Sequence, residues 1–116
     1  MCIRDRGQIT LGEKTTSLVA AGTGTWLKLD YELPTGSFKA RGAAVMIGLG
    51  KGLGARRVIV DSSGNAGKAA AAYAGAAGLA AEIHVPAATH PDKVAAMWSF
   101  GATVVVDPGD LSLIHI

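Results

Sequence analysis

Cysteine is nearly absent from this sequence, since Cys2 is the only one among 116 residues. A disulfide within the chain is therefore excluded, and the scattered histidines have no metal-ligand spacing either. Aromatic residues make up only 5% of the chain, so close packing of small side chains must supply much of the core. No apolar run approaches the roughly 20 residues that span a membrane, and no basic segment followed by an apolar one indicates export. We therefore expect a soluble, cytoplasmic protein with no membrane partner.

Charged residues are also few, at 17%, and the net charge is only +2. So small a surplus gives no reason to expect nucleic acid as a partner. Small and apolar residues are abundant instead: 49% of the sequence is hydrophobic and 16 residues are glycine. This composition is typical of a globular protein rather than a disordered one, and the length fits one small domain.

The two ends of the chain are related at the level of DNA. One choice of codons for residues 111–116 is ctg-tct-ctt-ata-cac-atc, and its reverse complement, read one base in, encodes residues 1–5 and can complete Arg6. An inverted repeat across both ends of a protein has no biological reason, and this one resembles a transposon-library sequencing adapter. We expect residues 1–6 and 111–116, and Cys2 with them, to be translated adapter, and we exclude them from fold reasoning.

Strand-like and helix-like patterns alternate along the rest of the chain. Alternating apolar and polar residues predict a half-buried strand at residues 26–32. The following patterns predict a helix of about fifteen residues that begins at Lys39, and then a strand at 57–61, a helix at 66–77, a strand at 82–85, a helix at 91–100 and a strand at 103–106. Repeated units of this kind predict the α/β class: a three-layer αβα parallel sheet with right-handed crossovers.

Two turns carry candidate chemistry, and the first leads to a lysine. Pro34 and Gly36 form a turn that delivers Lys39 to the start of a helix, directly behind Phe38 and next to small residues that would let a flat ligand approach. An amine desolvated in this way loses its proton more easily, which is the state needed to form a Schiff base. A lysine taken alone is more often a solvated charge, so this alternative stays open.

The second turn follows the predicted strand at 57–61. Free amides at a helix N-terminus, together with the hydroxyls of Ser62 and Ser63, make an anion site. Gly64 lets the backbone approach a ligand closely, and the Asn65 amide can donate or accept a hydrogen bond. The alternative is that Ser63 or Asn65 merely caps the helix. Both turns follow strands, and ligands in parallel sheets bind beyond the carboxyl ends of strands.

With these motifs in this order, the chain resembles the pyridoxal-phosphate (PLP) enzymes of fold type II, the tryptophan synthase β-like family. Threonine synthases, serine/threonine dehydratases and cysteine synthases belong to that family. The resemblance implies that residues 7–110 are the N-terminal part of a catalytic domain, cut at both ends, with a small-molecule amino-acid substrate and a homodimer when full length. It also implies that the glycine-rich phosphate loop and the partner of the pyridine nitrogen lie beyond the cut. The resemblance rests on residues 15–18, 28–30, 34–39, 61–67 and 101–102.

The resemblance also implies roles for individual residues. Lys39 would form the Schiff base with pyridoxal phosphate and later move the α-proton, Asn65 would hydrogen-bond the cofactor's 3′-oxygen, and Phe38 would pack near the ring. The substrate carboxylate would be held by Ser62, Ser63, Gly64 and Asn65.

The implied reaction is elimination or replacement on an amino acid or O-phosphorylated amino acid. The run at residues 62–67 looks like threonine synthase, which converts O-phosphohomoserine to threonine, whereas Ala40 after the lysine looks like a dehydratase. Ser17 stands where family members usually have proline. We expect a threonine synthase-like enzyme, with a serine/threonine dehydratase as the alternative. A second alternative is a non-catalytic phosphate- or nucleotide-binding module, although no G-x-G-x-x-G or Walker-type loop is present.

Several other residues are weaker candidates. We expect His84 to be packed inside a strand and His90 to lie at a turn near a helix cap. Lys68, in the first turn after the anion site, could assist there, but we expect it to be exposed. As a piece of a larger fold, the chain alone would leave apolar surface uncovered, so we expect it to be inactive and to aggregate or fold weakly.

The adapter hypothesis is tested by sequencing the source locus with independent primers. We expect the codons of residues 1–6 and 111–116 to be replaced by others that continue the reading frame. Survival of these codons would refute the hypothesis.

Overall fold

The computed structural model describes residues 9–109. The segments predicted to be translated adapter, residues 1–6 and 111–116, lie outside the described residues. The elements are β1 (Leu18–Gly22), β2 (Thr25–Lys28), a 3₁₀-helix (Asp30–Glu32), α1 (Lys39–Gly52), β3 (Arg57–Asp61), α2 (Asn65–Ala77), β4 (Ala80–Pro86), α3 (Pro91–Ser99) and β5 (Thr103–Asp107).

The strands β3, β4 and β5 form a parallel sheet in that order. Val60 pairs with Ile83, and Ile83 pairs with Val104, so the β-branched runs lie side by side in register. The predicted alternation of strands and helices after residue 57 is confirmed, and α2 ends where expected, because Gly78 takes the left-handed conformation at its C-terminus. The structure is therefore of the α/β class.

The first predicted strand, residues 26–32, is confirmed only over residues 26–28, which belong to β2, and its predicted half-burial is wrong. Residues 26–32 do not join the parallel sheet: β2 pairs antiparallel with β1, and the chain then turns into the 3₁₀-helix. Gly22 and Gly24 both have positive φ, so the chain can reverse directly after β1 and the preceding segment becomes the partner of β2. Every residue of this hairpin is exposed, which is why the alternation of apolar and polar residues did not reflect burial against the sheet.

One face of the parallel sheet carries the helices. Helix α2 packs against β3 and β4, α3 packs against β5 and α2, and α1 packs against α2. In β4 the residues on the helical face, Ala81, Ile83 and Val85, are buried, whereas the residues between them are half-buried or exposed. Residues 9–109 thus provide a sheet and one helical side, and the second helical layer of the predicted αβα arrangement is not among them.

Helix α2 forms the centre of the core. Its buried residues are mostly alanines, and only Tyr73 among them is large. Small side chains let the helix approach the sheet and α1 closely, so the core is built from many short contacts, as the scarcity of aromatic residues predicted. The remaining large, fully buried side chains are Ile47, Ile83, Met97 and Val85.

The hydroxyl of Tyr73 connects this core to the start of the described chain, because it donates a hydrogen bond to the Glu13 carboxylate. Burial alone would raise the pKa of Glu13, but hydrogen bonds from Thr10, from Tyr73 and from backbone amides outweigh it and lower the pKa to about 2. The pKa of Tyr73 is raised, first by burial and then by its hydrogen bond to the carboxylate. The pair holds the segment before β1 against α2.

Many large apolar side chains remain exposed. Val45, Met46 and Leu49 on α1, and Leu53 directly after it, are between 45% and 69% exposed. A surface of this kind is expected of a chain that forms part of a larger fold. Among the described helices, none has the length and apolar character needed to cross a membrane.

Replacing Tyr73 by phenylalanine tests the link to Glu13. The folded pKa of Glu13 lies below its ordinary value of 4.5, so its contribution is complete above about pH 4.5 and is lost as the pH falls towards 2. We expect Tyr73→Phe to lower the free energy of unfolding on the order of 1 kcal/mol at neutral pH and to weaken this acid dependence. Urea denaturation of the full-length protein across that pH range measures both quantities.

The matched control is Tyr31→Phe, because Tyr31 is 67% exposed. We expect this variant to keep the wild-type stability and pH dependence. An acid dependence in Tyr73→Phe equal to that of the wild type would show that the hydrogen bond to Glu13 does not stabilise the fold.

Candidate active site

Lys39 is the first residue of α1, as predicted. It follows a turn in which the amide of Gly36 donates to the Leu33 carbonyl over 2.7 Å, and Gly36 has a positive φ of 74° that favours glycine. The Lys39 Nζ lies 4.7 Å from the centroid of the Phe38 ring, a cation–π contact. Both side chains are exposed. Residues 9–109 therefore do not supply the desolvation that the sequence predicted for this amine.

A polar cluster supports the start of α1. Arg41, two residues after Lys39, donates to the Asp30 carboxylate over 3.0 Å, and the buried Thr16 donates to the same oxygen over 2.8 Å. These hydrogen bonds, the one from Arg41 first, lower the pKa of Asp30 and keep it charged. The cluster connects the segment before β1 and the 3₁₀-helix to α1. These connections fix the position of the turn that leads to Lys39.

Two hydroxyls of the lysine turn have no hydrogen-bond partner within residues 9–109. Thr35 is 2% exposed and Ser37 is 8% exposed, and neither side-chain oxygen is satisfied there. Buried hydroxyls of this kind normally find a partner, since an unmet one costs free energy. The turn that leads to Lys39 thus has hydrogen-bonding capacity left for a polar group from outside the described part of the chain.

The second turn, residues 62–65, stands at the N-terminus of α2. The N-cap is Gly64, in an extended conformation, and no side chain makes a capping hydrogen bond to α2. The alternative that Ser63 or Asn65 serves as the cap is therefore wrong. Within the turn, the Ser62 hydroxyl accepts a hydrogen bond from the Gly64 amide over 3.3 Å, and the Ser62 amide donates to the His84 carbonyl over 3.0 Å. The uncapped helix end offers its amides to an anion.

Gly67 allows this turn to lie close to α2. A Cβ atom at Gly67 would stand 2.2 Å from the Ser62 carbonyl oxygen, 3.0 Å from the Met97 Cε and 3.1 Å from the Ile83 Cγ2. A distance of 2.2 Å to a backbone atom is far inside van der Waals contact. Only glycine therefore fits this position without a shift of the turn.

A cleft of about 290 Å³ opens beside the N-terminus of α2. Sequence reasoning placed Lys68 at an exposed position, but Lys68 is half-buried and lines the cleft, and Lys93 of α3, which the motifs did not single out, lines it as well. The two lysines add positive charge near the N-terminus of α2, and the cleft lining also contains the carboxylate of Asp92. The complete lining is Gly64, Asn65, Lys68, Asp92, Lys93, Ala96 and Met97.

The predicted site residues thus fall into two groups at two helix starts. Phe38 and Lys39 lie at the start of α1, and residues 62–65 lie at the start of α2, which packs against α1. Lys39 does not line the cleft beside Asn65. His90, expected near a helix cap, is the N-cap of α3 and accepts a hydrogen bond from the Asp92 amide.

Comparison with known proteins decides between the possible families. Residues 9–113 match the family described as "Pyridoxal-phosphate dependent enzyme". The chain belongs to this family. The match confirms the resemblance and the expected cofactor, and it favours an enzyme over a non-catalytic phosphate-binding module. It ends inside the segment 111–116, whose origin as adapter stays a prediction.

Curated relatives carry two different activities in their names. The chain is 40% identical over 86 residues to an L-serine dehydratase/L-threonine deaminase of Mus musculus, a match that covers 74% of the chain and 26% of that protein. It is 41% identical over 87 residues to a threonine synthase of Synechocystis, which covers 67% of the chain and 23% of that protein. The chain therefore spans about a quarter of the length of these relatives, and neither activity stands out by identity.

Solved structures confirm the fold. The chain superposes on the holo form of a diaminopropionate ammonia lyase from Escherichia coli with a TM-score of 0.80 and 18% sequence identity. The superposition covers 97% of the chain and 36% of that protein. The α/β architecture predicted from the sequence is thus confirmed, and it corresponds to about a third of the fold of that protein.

The described residues fit a pyridoxal phosphate cofactor. The cofactor is an aromatic aldehyde with an anionic substituent, and its chemistry calls for a primary amine, an aromatic or apolar contact and hydrogen-bond donors. Lys39, Phe38 and the uncapped start of α2 supply these groups, and the unsatisfied hydroxyls of Thr35 and Ser37 leave further donors beside the lysine.

Substitution of Gly67 tests whether close packing of α2 places the turn. We expect Gly67→Ala to lower the free energy of unfolding by about 1–3 kcal/mol, because the added Cβ forces the Ser62 carbonyl to move. Gly42→Ala is the control, since a Cβ there meets nothing within 4 Å, and we expect it to stabilise α1 by up to about 1 kcal/mol. Urea denaturation of the full-length protein measures both, and equal stability of the two variants would contradict the packing of Gly67.

Proposed function

We propose that the full-length protein is a pyridoxal-phosphate-dependent enzyme that performs elimination or replacement on an amino acid, most like threonine synthase. The observation that carries the proposal is the uncapped start of α2, where the turn 62–65 borders a cleft with two lysines. Within a family that works on amino acids, such a turn suits the substrate carboxylate. A homodimer remains our expectation for the full-length protein.

In this proposal the residues act as follows. Lys39 would hold the cofactor through its amine, and its Nζ would take and return the proton of the substrate α-carbon. Asn65 would donate a hydrogen bond to the 3′-oxygen of the cofactor, and Phe38 would pack near its ring. The carboxylate of the substrate accepts hydrogen bonds from the turn formed by Ser62, Ser63, Gly64 and Asn65.

Pyridoxal phosphate supplies an electron-withdrawing ring that makes the α-C–H bond of a bound amino acid acidic. The protein must then hold the substrate so that the reacting bonds are aligned, and the uncapped helix start does this through the carboxylate. The unsatisfied hydroxyls of Thr35 and Ser37 are available to orient polar groups beside the lysine.

The positions of Lys68 and Lys93 are the reason to propose a phosphorylated substrate. A substrate such as O-phosphohomoserine carries a phosphate in addition to its carboxylate, and the two lysines that line the cleft offer the positive charge that a second anion needs. This is the reason to prefer threonine synthase over a dehydratase, whose substrates carry a neutral hydroxyl.

A serine/threonine dehydratase is the second candidate. Ala40 after the lysine favours it, and relatives with that name are as similar to the chain as the threonine synthases are. The two activities are distinguished by products: release of phosphate and threonine from O-phosphohomoserine, or of ammonia and a 2-oxo acid from serine or threonine.

The role of Lys39 is tested in the full-length protein loaded with pyridoxal phosphate. We expect wild-type protein to show a visible absorbance band and, after borohydride reduction, a cofactor label on the peptide that contains Lys39. Lys39→Ala should lose both, because this variant lacks the amine that holds the cofactor in the proposal.

Lys51→Ala is the control, since Lys51 is an exposed lysine in the last turn of the same helix. It should keep the band and the label. A band and a label that persist in Lys39→Ala would refute the assignment of this lysine, and a wild-type protein that shows no band would refute the proposed function.

A further inference from the structure

The open face of the sheet, opposite α2, carries a histidine between two carboxylates. The His84 Nδ1 lies 3.0 Å from the Asp107 Oδ2 on β5, and its Nε2 lies 3.0 Å from the Glu82 Oε1 on its own strand. All three side chains are between 23% and 29% exposed. His84 was expected to be merely packed in a strand, and its partners could not be anticipated because Asp107 is 23 residues away.

This cluster lies at the edge of the sheet where the candidate site is. His84 pairs in register with Asp61, the last residue of β3, and Asp107 is the last residue of β5. The backbone carbonyl of His84 accepts the hydrogen bond from the Ser62 amide, which begins the turn 62–65. The side chain of His84 is thus bound to two carboxylates while its backbone holds the turn.

We propose that His84 is a positioning residue for the turn 62–65, and that the bridge from Glu82 through His84 to Asp107 holds the turn most firmly when the imidazole is protonated. The proposal rests on the proposed function, because it concerns the turn assigned to the substrate carboxylate.

The chemistry of the imidazole explains the dependence on protonation. An imidazolium has two N–H donors and can bond both carboxylates, whereas a neutral imidazole has one donor and must leave one carboxylate facing a ring nitrogen lone pair. If one contact is lost, the His84 side chain is released either from Asp107 on β5 or from Glu82. The end of β4 that carries the His84 carbonyl then has one constraint fewer.

The surrounding charges favour the protonated state. Within residues 9–109, the charged groups that face His84 are Glu82 on its own strand, Asp107 on β5 and Asp61 on β3, and Arg57 of β3 is paired with Glu82 at 3.4 Å. The hydrogen bonds to Glu82 and then to Asp107 raise the pKa of His84. Because the folded pKa is raised, the stabilisation is complete below the ordinary pKa of 6.5 and is lost as the pH rises through the folded value.

The experiment uses the full-length protein loaded with pyridoxal phosphate. Hydrogen–deuterium exchange reports on residues 61–66, and the change in cofactor absorbance reports the Kd for L-alanine, which has the carboxylate but no leaving group. Each is measured below and above the titration of His84. The amine of L-alanine must lose its proton before it bonds to the cofactor, so each Kd is compared with that of His84→Arg at the same pH. We expect the wild type to protect the turn better at the lower pH, and to bind L-alanine as tightly as His84→Arg there but more weakly at the higher pH.

His84→Gln should raise the Kd for L-alanine by about tenfold at the lower pH, the effect of about one weakened hydrogen bond to its carboxylate, and it should speed exchange of the turn. His84→Arg carries a permanent charge, so protection of the turn should not depend on pH in this variant, and its Kd should follow pH only through the groups of the substrate and the cofactor. Arg57→Gln, the control, removes a different partner of Glu82 at the far end of β3 and should keep the wild-type profile relative to pH.

The proposal is overturned if His84→Gln keeps the wild-type protection of the turn and the wild-type Kd at both pH values, or if protection of the turn in His84→Arg keeps the wild-type dependence on pH. If His84→Gln fails to fold, the His84→Arg result decides alone. A wild-type protein without a cofactor absorbance band would refute the proposed function, while the exchange measurement would still test the role of His84.

Discussion

The close approach of α2 to the parallel sheet is the constraint on which the rest of the structure depends. Most of the buried residues of this helix are alanines, and at Gly67 the helix lies so close to the Ser62 carbonyl that no Cβ fits. Helices α1 and α3 both pack against α2, so the packing of this one helix sets the position of every helix in the described chain. A core of this kind needs small residues more than large ones, which explains why a sequence so poor in aromatic residues folds as it does.

The same constraint places the chemistry. Because α2 starts directly after β3 and carries no side-chain cap, the turn 62–65 presents free amides at the carboxyl edge of the sheet. Lys39 is the first residue of α1, and the ion pair between Arg41 and Asp30 supports this end of the helix. Two helix starts on packed helices therefore carry a lysine amine and a set of uncapped backbone amides. Lys39 and Phe38 are exposed within residues 9–109, and so is much of the apolar surface of α1.

Local features could be predicted from the sequence, and features that depend on distant partners could not. The β-branched run of β3, the glycine that ends α2 and the lysine at the start of α1 all lie in segments whose patterns are complete within a few residues. The hairpin of β1 and β2 was missed because every residue of its strands is exposed, so apolar and polar positions do not correspond to buried and exposed ones. The bond between Tyr73 and Glu13 spans 60 residues, and the lysines of the cleft come from two helices, so neither could be found by spacing along the chain.

The central claim is that the starts of α1 and α2 act on one pyridoxal phosphate. A crystal structure of the full-length protein with the cofactor tests it most directly. We predict continuous density between the Lys39 Nζ and the cofactor, with the Asn65 side chain in hydrogen-bond contact with the same cofactor molecule. A cofactor bound through another lysine, or one that leaves the turn 62–65 without contact to the cofactor or to a bound amino acid, would contradict the account.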